Sequence, residues 1–190
     1  MLSSEATFAK NKYQGEVATG YDEKREGTSK RSAERQILTR WLDDLPKGTK
    51  ILDAPIGTGF LIPYYESKGF IGYGLDINQD MIDEATKKVT GQFEFACASV
   101  LDIPLPNKAV DVSLMIRLTR WLAPHECQQA LRELQRVTKK RIIFNARVRN
   151  HPHKRPISLF KSALHPNWRI EKEEEIEEDF LMFQVGKCVG

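Results

Sequence analysis

Cysteine is scarce in this chain. Cys97, Cys127 and Cys188 are an odd number, widely separated, with no C-x-x-C pair and no histidine cluster beside them. A disulfide framework and a zinc site are therefore not expected; all three should be free thiols, with Cys97 in the core. Long apolar runs are missing as well. No stretch would cross a bilayer, and residues 1–12 lack the apolar segment of a secretory signal, so a cytoplasmic location is expected. A strong charge of one sign is absent: Lys and Arg number 29 against 26 Asp and Glu, a net +3 with an acidic C-terminal region, which leaves no continuous basic face for nucleic acid. Internal repeats and low-complexity linkers are also lacking. What remains, 190 residues with 41% apolar and 29% charged, suits one globular domain with a single sizeable core.

The richest segment is Lys50-Ile51-Leu52-Asp53-Ala54-Pro55-Ile56-Gly57-Thr58-Gly59. A short apolar run enters a turn at Asp53 and passes two glycines before a helix resumes over Phe60 to Lys68. Gly57 and Gly59 let backbone approach a ligand closely, and the amides at the helix start face a negatively charged ligand group. Ile71-Gly72-Tyr73-Gly74-Leu75-Asp76 reads as a second buried strand ending in a carboxylate, which suits a grip on ribose hydroxyls. The dinucleotide fingerprint G-x-G-x-x-G is absent, since its third glycine position is Ile62. An acid at the end of the first strand would repel a pyrophosphate but suits a ligand carrying an ammonium and a sulfonium. The competing structural readings are that Asp76 caps the helix starting near Asn78 and that the glycines serve a tight turn.

Strands and helices alternate along the chain, which predicts an α/β, doubly wound, mostly parallel seven-stranded sheet with a C-terminal antiparallel hairpin. Helices are expected over Arg31–Leu42, Met81–Val89, Glu126–Val137 with Pro124 marking its start, and Ile157–Leu164. Further strands are expected from Phe93, over Val110–Ile116 and over Arg141–Ala146, with Trp168–Ile176 and Phe180–Val185 as the closing pair. The acid run Glu171 to Asp179 is expected to be a solvated strand face and turn. One domain spans 1–190, with 1–45 as a helical lid or flank and 46–190 as a cofactor-binding core.

At residues 40–190 the chain resembles a class I S-adenosylmethionine-dependent methyltransferase, of the small, cap-less type 11/25-like kind, whose first motif is written D-x-G-x-G-x-G. That resemblance implies a Rossmann-like methyltransferase fold and S-adenosyl-L-methionine as cofactor. It assigns Asp53, Ala54, Pro55, Gly57 and Gly59 to the loop at the methionine end, Asp76 to the ribose and Ile77 to the adenine. Pro55 departs from the pattern by standing where the first glycine usually is, which removes one N–H donor. The third motif resembles Phe93 to Pro106, with Val100 among the residues at the cofactor; Ser99 stands where the family often has an acid on the adenine amino group, and either Ser99 or Asp102 would accept that hydrogen bond.

Substrate contacts in open α/β sheets come from the carboxyl ends of the strands. Two basic segments are expected there: Arg117-Leu118-Thr119-Arg120-Trp121, and Arg147 through Arg155, which includes His151 and His153. Their guanidinium groups match phosphate or carboxylate, so an anionic small-molecule or lipid/glycan-type acceptor is the expected substrate. Gly20 to Arg25 resembles the Y-D-x-x-R segment that folds over the cofactor in this family, with Tyr21 closing the pocket and Lys24, Arg25, Lys30 and Arg31 adding to an anion site. Arg117, Tyr21 and His151 are the candidate catalytic residues, with His125 and His153 as further candidate bases should the acceptor need one. No metal is expected. The N-P-P-Y type tetrapeptide of base-amine methyltransferases is absent after the fourth strand, where Ile116-Arg117-Leu118-Thr119 stands. The alternatives are a non-catalytic cofactor-binding or partner subunit of the same fold, an enzyme that cleaves the cofactor without an acceptor, and an RNA methyltransferase. Oligomeric state is not legible.

Overall fold

The computed structural model describes residues 7, 11–25, 27–148 and 154–188. The elements in chain order are α1 (Glu16–Thr19), α2 (Ser29–Leu42), β1 (Lys50–Asp53), α3 (Ile62–Ser67), β2 (Ile71–Asp76), α4 (Gln79–Thr86), β3 (Phe93–Cys97), β4 (Val110–Met115), a 3-10 turn (Thr119–Trp121), α5 (Pro124–Val137), β5 (Thr138–Arg147), α6 (Ile157–Lys161), β6 (Trp168–Glu177) and β7 (Phe180–Lys187). The strands form one sheet in the order β3-β2-β1-β4-β5-β7-β6. Neighbours from β3 through β5 run parallel, and β7 lies antiparallel to both β5 and β6.

Alternation along the central strands sends successive side chains to opposite faces. Leu52, Met115, Ile142 and Phe144 join the core under α5 and α6, whereas Ile51, Leu114 and Ile143 join the core under α2 and α3. Both faces are covered, as a parallel sheet requires. α2 supplies Ile37, Leu38, Trp41 and Leu42 from one stripe, capped at its start by Thr28, whose hydroxyl accepts from the Arg31 amide. Pro124 occupies the first turn of α5, where its missing N–H costs nothing.

The hairpin enters the sheet through its second strand. β7 is buried along nearly its whole length, whereas β6 carries Glu and Lys at most of its outward positions. A strand apolar on both faces belongs inside the sheet, and a charged one protects an edge from pairing with other chains. This explains why β7, not β6, pairs with β5. Cys97 departs from expectation: it lies exposed at the end of β3, the other edge strand, and its thiol is directed at the Ile77 carbonyl at 3.8 Å. No helix among the described residues is long and apolar enough to cross a membrane.

Candidate active site

β2, β1, β4 and β5 lie side by side and end on the same side of the sheet, and a cavity of about 360 Å³ opens at those ends. Asp53, Pro55, Gly57, Asp76, Ile77, Arg117 and Tyr21 all line it. A narrower slot adjoins it, shared through Pro55, Asp76, Ile77, Leu118 and Trp121 and continued by Ser99 and Val100. Residues far apart in sequence are thus brought together, those near the strand ends by the strand order and Tyr21 by the N-terminal segment.

The two acids are buried but differently bound. Asp53 is 3% exposed and accepts a hydrogen bond from the Tyr65 hydroxyl at 2.9 Å. Burial raises its carboxyl to about 7; the Tyr65 bond opposes that rise and the nearby Asp76 adds to it. Asp76 accepts the Gly57 amide on Oδ2 and the Asn78 amide on Oδ1, each at 3.0 Å. Burial raises it to about 6, held back by those backbone donors. The cap of α4 is Asn78, whose side chain accepts the Asp80 amide at 2.9 Å. Asp76 therefore ties the glycine loop to the end of β2 and is not the helix cap.

The glycines divide their labour. Both have positive φ, +55° at Gly57 and +73° at Gly59, so any other residue is strained at either. A Cβ on Gly57 would meet nothing within 4 Å, which leaves that stretch of backbone open to a ligand. A Cβ on Gly59 would stand 2.4 Å from Ile62 Cδ1 and 3.1 Å from Ala85 Cβ. Gly59 lets the loop pack against α3 and α4 and does not line the cavity. Gly57→Ala should cost about 1–2 kcal/mol of backbone strain, and Gly59→Ala more than that because α3 or α4 must shift. Urea unfolding of the two variants checks the order, and equal losses would contradict it.

The remaining expected residues fall in three groups. Ser99 lines the slot, its Oγ accepting the Leu101 amide at 3.2 Å, while Asp102 is exposed and borders neither cavity nor slot. Ala54 is wholly buried behind the loop, with its amide on the Leu114 carbonyl at 3.0 Å. His151 and His153 lie outside the described residues. Arg155, expected beside the pocket, turns inward instead: it is 8% exposed and its guanidinium donates to the Leu122 carbonyl, tying its loop to the segment after β4.

The N-terminal segment closes the cavity from above α2. Tyr21 packs edge-on against Tyr13, with ring centroids 5.6 Å apart, and Tyr13 in turn against Trp121 at 6.1 Å. The Arg25 guanidinium stacks over the Tyr21 ring at 4.6 Å, and burial pushes the Tyr21 phenol up to about 12. Asp22 latches this segment to the glycine loop by accepting from Arg31 at 2.7 Å, from the Thr58 hydroxyl at 2.8 Å and from Lys88. Partial burial raises the Asp22 carboxyl, but these three donors hold it below its ordinary range.

Asp53 and Asp76 sit at the β1 and β2 ends of the cavity, Arg117 and Arg120 follow β4, Arg147 ends β5, and Arg25, Lys30 and Arg31 come from the N-terminal segment and α2. All of these residues line the cavity. Lys30 and Arg147 both pair with Glu177 and both lie over the Phe180 ring, at 4.4 and 5.1 Å. Glu177 thus belongs to the rim of the site, in contrast to the solvated face expected for the acid run. Glu34, wholly buried on α2, pairs with Arg117. Sequence reasoning missed Tyr13, Glu34, Phe180 and Glu177. A signal existed for Glu34, an acid three and four positions before Ile37 and Leu38 on the apolar stripe of α2.

Comparison with known proteins bears on the fold and the family. Residues 52–144 match the family described as methyltransferase domain. A stretch of 128 residues, 66% of this chain, is 29% identical to the biotin biosynthesis bifunctional protein BioHC of Cellvibrio japonicus. Another of 92 residues, 48% of the chain, is 28% identical to the malonyl-[acyl-carrier protein] O-methyltransferase of Serratia marcescens. The chain spans 24% and 35% of the length of these two relatives. Its fold superposes on magnesium protoporphyrin IX methyltransferase from Synechocystis PCC 6803 with a TM-score of 0.78, at 17% identity and over 98% of both chains, in a crystal structure with bound S-adenosylmethionine.

Proposed function

From the match of residues 52–144 to the methyltransferase-domain family and the fold shared with S-adenosylmethionine-dependent methyltransferases, we propose that the chain is a class I enzyme of this kind that transfers a methyl group to an anionic acceptor, a small molecule or lipid/glycan-type compound bearing a carboxylate or phosphate. The observation that carries this reading is the cationic wall formed at the β4 and β5 ends of the cavity, with no histidine among the described residues that line it.

The residues present fit the cofactor. A buried carboxylate at Asp53 suits an ammonium, Asp76 suits ribose hydroxyls, and the slot between Ile77, Val100, Leu118 and Trp121 suits a flat purine, with Ser99 to accept from its amino group. Bound there, S-adenosylmethionine supplies an electrophilic methyl group on a sulfonium. The chain's own task is then to hold the acceptor in line and to keep water out. A carboxylate or phosphate oxygen is already ionised and requires no base. The wall offers none: the Tyr21 phenol stays protonated, and Glu34 is occupied by Arg117 and Asn145. Cations that orient an anion without taking a proton match that chemistry. One relative, a malonyl-[acyl-carrier protein] O-methyltransferase, points the same way.

The test is transfer of radiolabelled methyl from S-adenosylmethionine to a panel of acids, a malonyl thioester, a medium-chain fatty acid and a sugar phosphate, each beside its neutral amide or dephosphorylated counterpart. Label should enter acidic members alone. Equal labelling of the neutral counterparts would sink the reading. Arg117→Lys, which keeps the charge and loses the planar fork, should lower kcat/KM for the acceptor by about 10–100-fold, the worth of a charge-assisted hydrogen bond, while leaving cofactor affinity unchanged. A matching fall in cofactor affinity, measured calorimetrically, would place Arg117 at the cofactor instead.

A further inference from the structure

Behind the cationic wall lies a closed ring of hydrogen bonds that the transfer reaction itself does not require. Arg117 Nε donates to Glu34 Oε2 at 2.6 Å, and Arg117 Nη2 pairs with the same oxygen. The other oxygen, Glu34 Oε1, accepts from Asn145 Nδ2 at 3.0 Å, and Asn145 Oδ1 accepts the Arg117 backbone amide at 2.7 Å. Thr119 Oγ1 completes the brace by donating to the Asn145 carbonyl at 3.0 Å. Glu34 and Asn145 are fully buried. Arg117 has φ of 62°, a left-handed conformation that costs a non-glycine residue free energy and persists where surrounding contacts over-determine it. The Asn145 bond to its amide is such a contact.

This arrangement is not a route to stability. Burying an ion pair costs about as much in desolvation as the attraction returns, and an apolar residue facing Ile37 and Leu38 would serve the core of α2 at least as well. What the ring does provide is orientation. Glu34 takes the Nε and Nη2 side of the guanidinium, Asn145 holds its backbone, and the Nη1 side has no protein partner among the described residues on a residue that lines the cavity. We propose that Glu34 is a positioning residue for the acceptor: through Arg117, braced by Asn145, it directs one free edge of a guanidinium at the acceptor's anionic group. The inference rests on the anionic-acceptor reading and adds to it the residue that fixes where the anion sits. It assigns specificity to a helix, α2, that lies outside residues 52–144.

The experiment titrates the protein, saturated with S-adenosylhomocysteine, with malonate, and follows the Arg117 Nε–H resonance, assigned by its loss in Arg117→Met. Initial rates with a malonyl thioester of N-acetylcysteamine are measured in parallel. In Glu34→Gln, malonate should bind about tenfold or more weakly and the acceptor KM should rise by a similar factor, while kcat changes by less than about threefold and S-adenosylhomocysteine binds as before. The double variant Glu34→Gln/Arg117→Met replaces the buried ion pair with neutral groups, which keeps it foldable. Its malonate affinity and KM should equal those of Arg117→Met alone, because Glu34 acts through Arg117. Unchanged malonate affinity in Glu34→Gln, multiplied effects in the double variant, or no response of the wild-type Arg117 resonance would each overturn the proposal. Malonate binding with the expected pattern but without methyl transfer to any acid of the panel would sustain the positioning role and remove the anionic-acceptor reading.

Discussion

Asp76→Ala should lower S-adenosylmethionine affinity by about 10–100-fold and destabilise the protein as well. The first effect follows from losing charge-assisted hydrogen bonds to the ribose, worth about 1.5–3 kcal/mol, at about 1.4 kcal/mol for each factor of ten. The second arises because the same carboxylate satisfies the amides of Gly57 and Asn78. Removing it leaves both donors without that partner in a part of the molecule where Asp76 is 6% exposed, at a cost of about 1–3 kcal/mol for each amide that water does not reach. Asp76→Asn separates the contributions. Its amide oxygen can still accept one of the two backbone bonds, while the charge is gone, so most stability should return and affinity should stay low. Calorimetric titration with S-adenosylmethionine and thermal unfolding of both variants decide the matter. Affinity within a factor of two of wild type in Asp76→Ala would remove the residue from the cofactor site and leave it a purely structural tie between loop and strand.

That double duty was half legible in the sequence. Two short apolar runs, each ending in an acid, mark Asp53 and Asp76 as strand-end carboxylates, and strand-end groups converge whenever strands run parallel. The bonds Asp76 makes to the loop are tertiary and carry no sequence signal. The two glycines illustrate the same limit. Spacing treats Gly57 and Gly59 alike, yet one opens on the cavity and the other is filled by Ile62 and Ala85 from neighbouring helices. The choice between Ser99 and Asp102 needed the path of the chain after β3, which turns Ser99 to the slot and Asp102 to solvent.

Sequence alone does not distinguish among the basic residues after β4 and β5, and the structure sorts them by their partners. Arg117 and Arg147 stay on the cavity because Glu34 and Glu177 hold them there, whereas Arg155 is drawn off by the Leu122 carbonyl. Both acids come from elements distant in sequence, α2 and β6, and both were hidden by plausible local readings: an ordinary helix residue in one case, a solvated acid run in the other. The position of Glu177 depends on β7 entering the sheet beside β5, which brings the end of β6 over the Arg147 side of the cavity. Composition predicts a hairpin; burial of β7 on both faces decides which strand goes inside.

The two buried acids should also couple cofactor binding to pH. In the free protein Asp53 titrates near 7 and Asp76 near 6, both above the ordinary 3.8, because burial penalises their charged forms. At these groups the folded chain therefore holds more protons than the unfolded chain between about pH 4 and 7. Stability from these groups is fully present below the unfolded values and is lost as pH rises through 6–7. Carboxylates held low by partners, such as Asp22, Asp44 and Glu133, are ionised in both states above about pH 5.5 and add no slope there. The free protein should thus melt several degrees lower at pH 8 than at pH 5.5, at about 1.4 kcal/mol per group and pH unit within the window. Cofactor binding has the opposite dependence. An ammonium beside Asp53 favours the ionised carboxyl, so binding near pH 6.5 should release protons and affinity should rise with pH up to about 7.5. Titration calorimetry in two buffers of different ionisation heat measures the release, and Asp53→Asn should abolish most of it. A melting temperature that holds steady or rises from pH 5.5 to 8, together with buffer-independent heats, would mean that neither carboxylate carries the raised value and that the cofactor's amino end is held elsewhere.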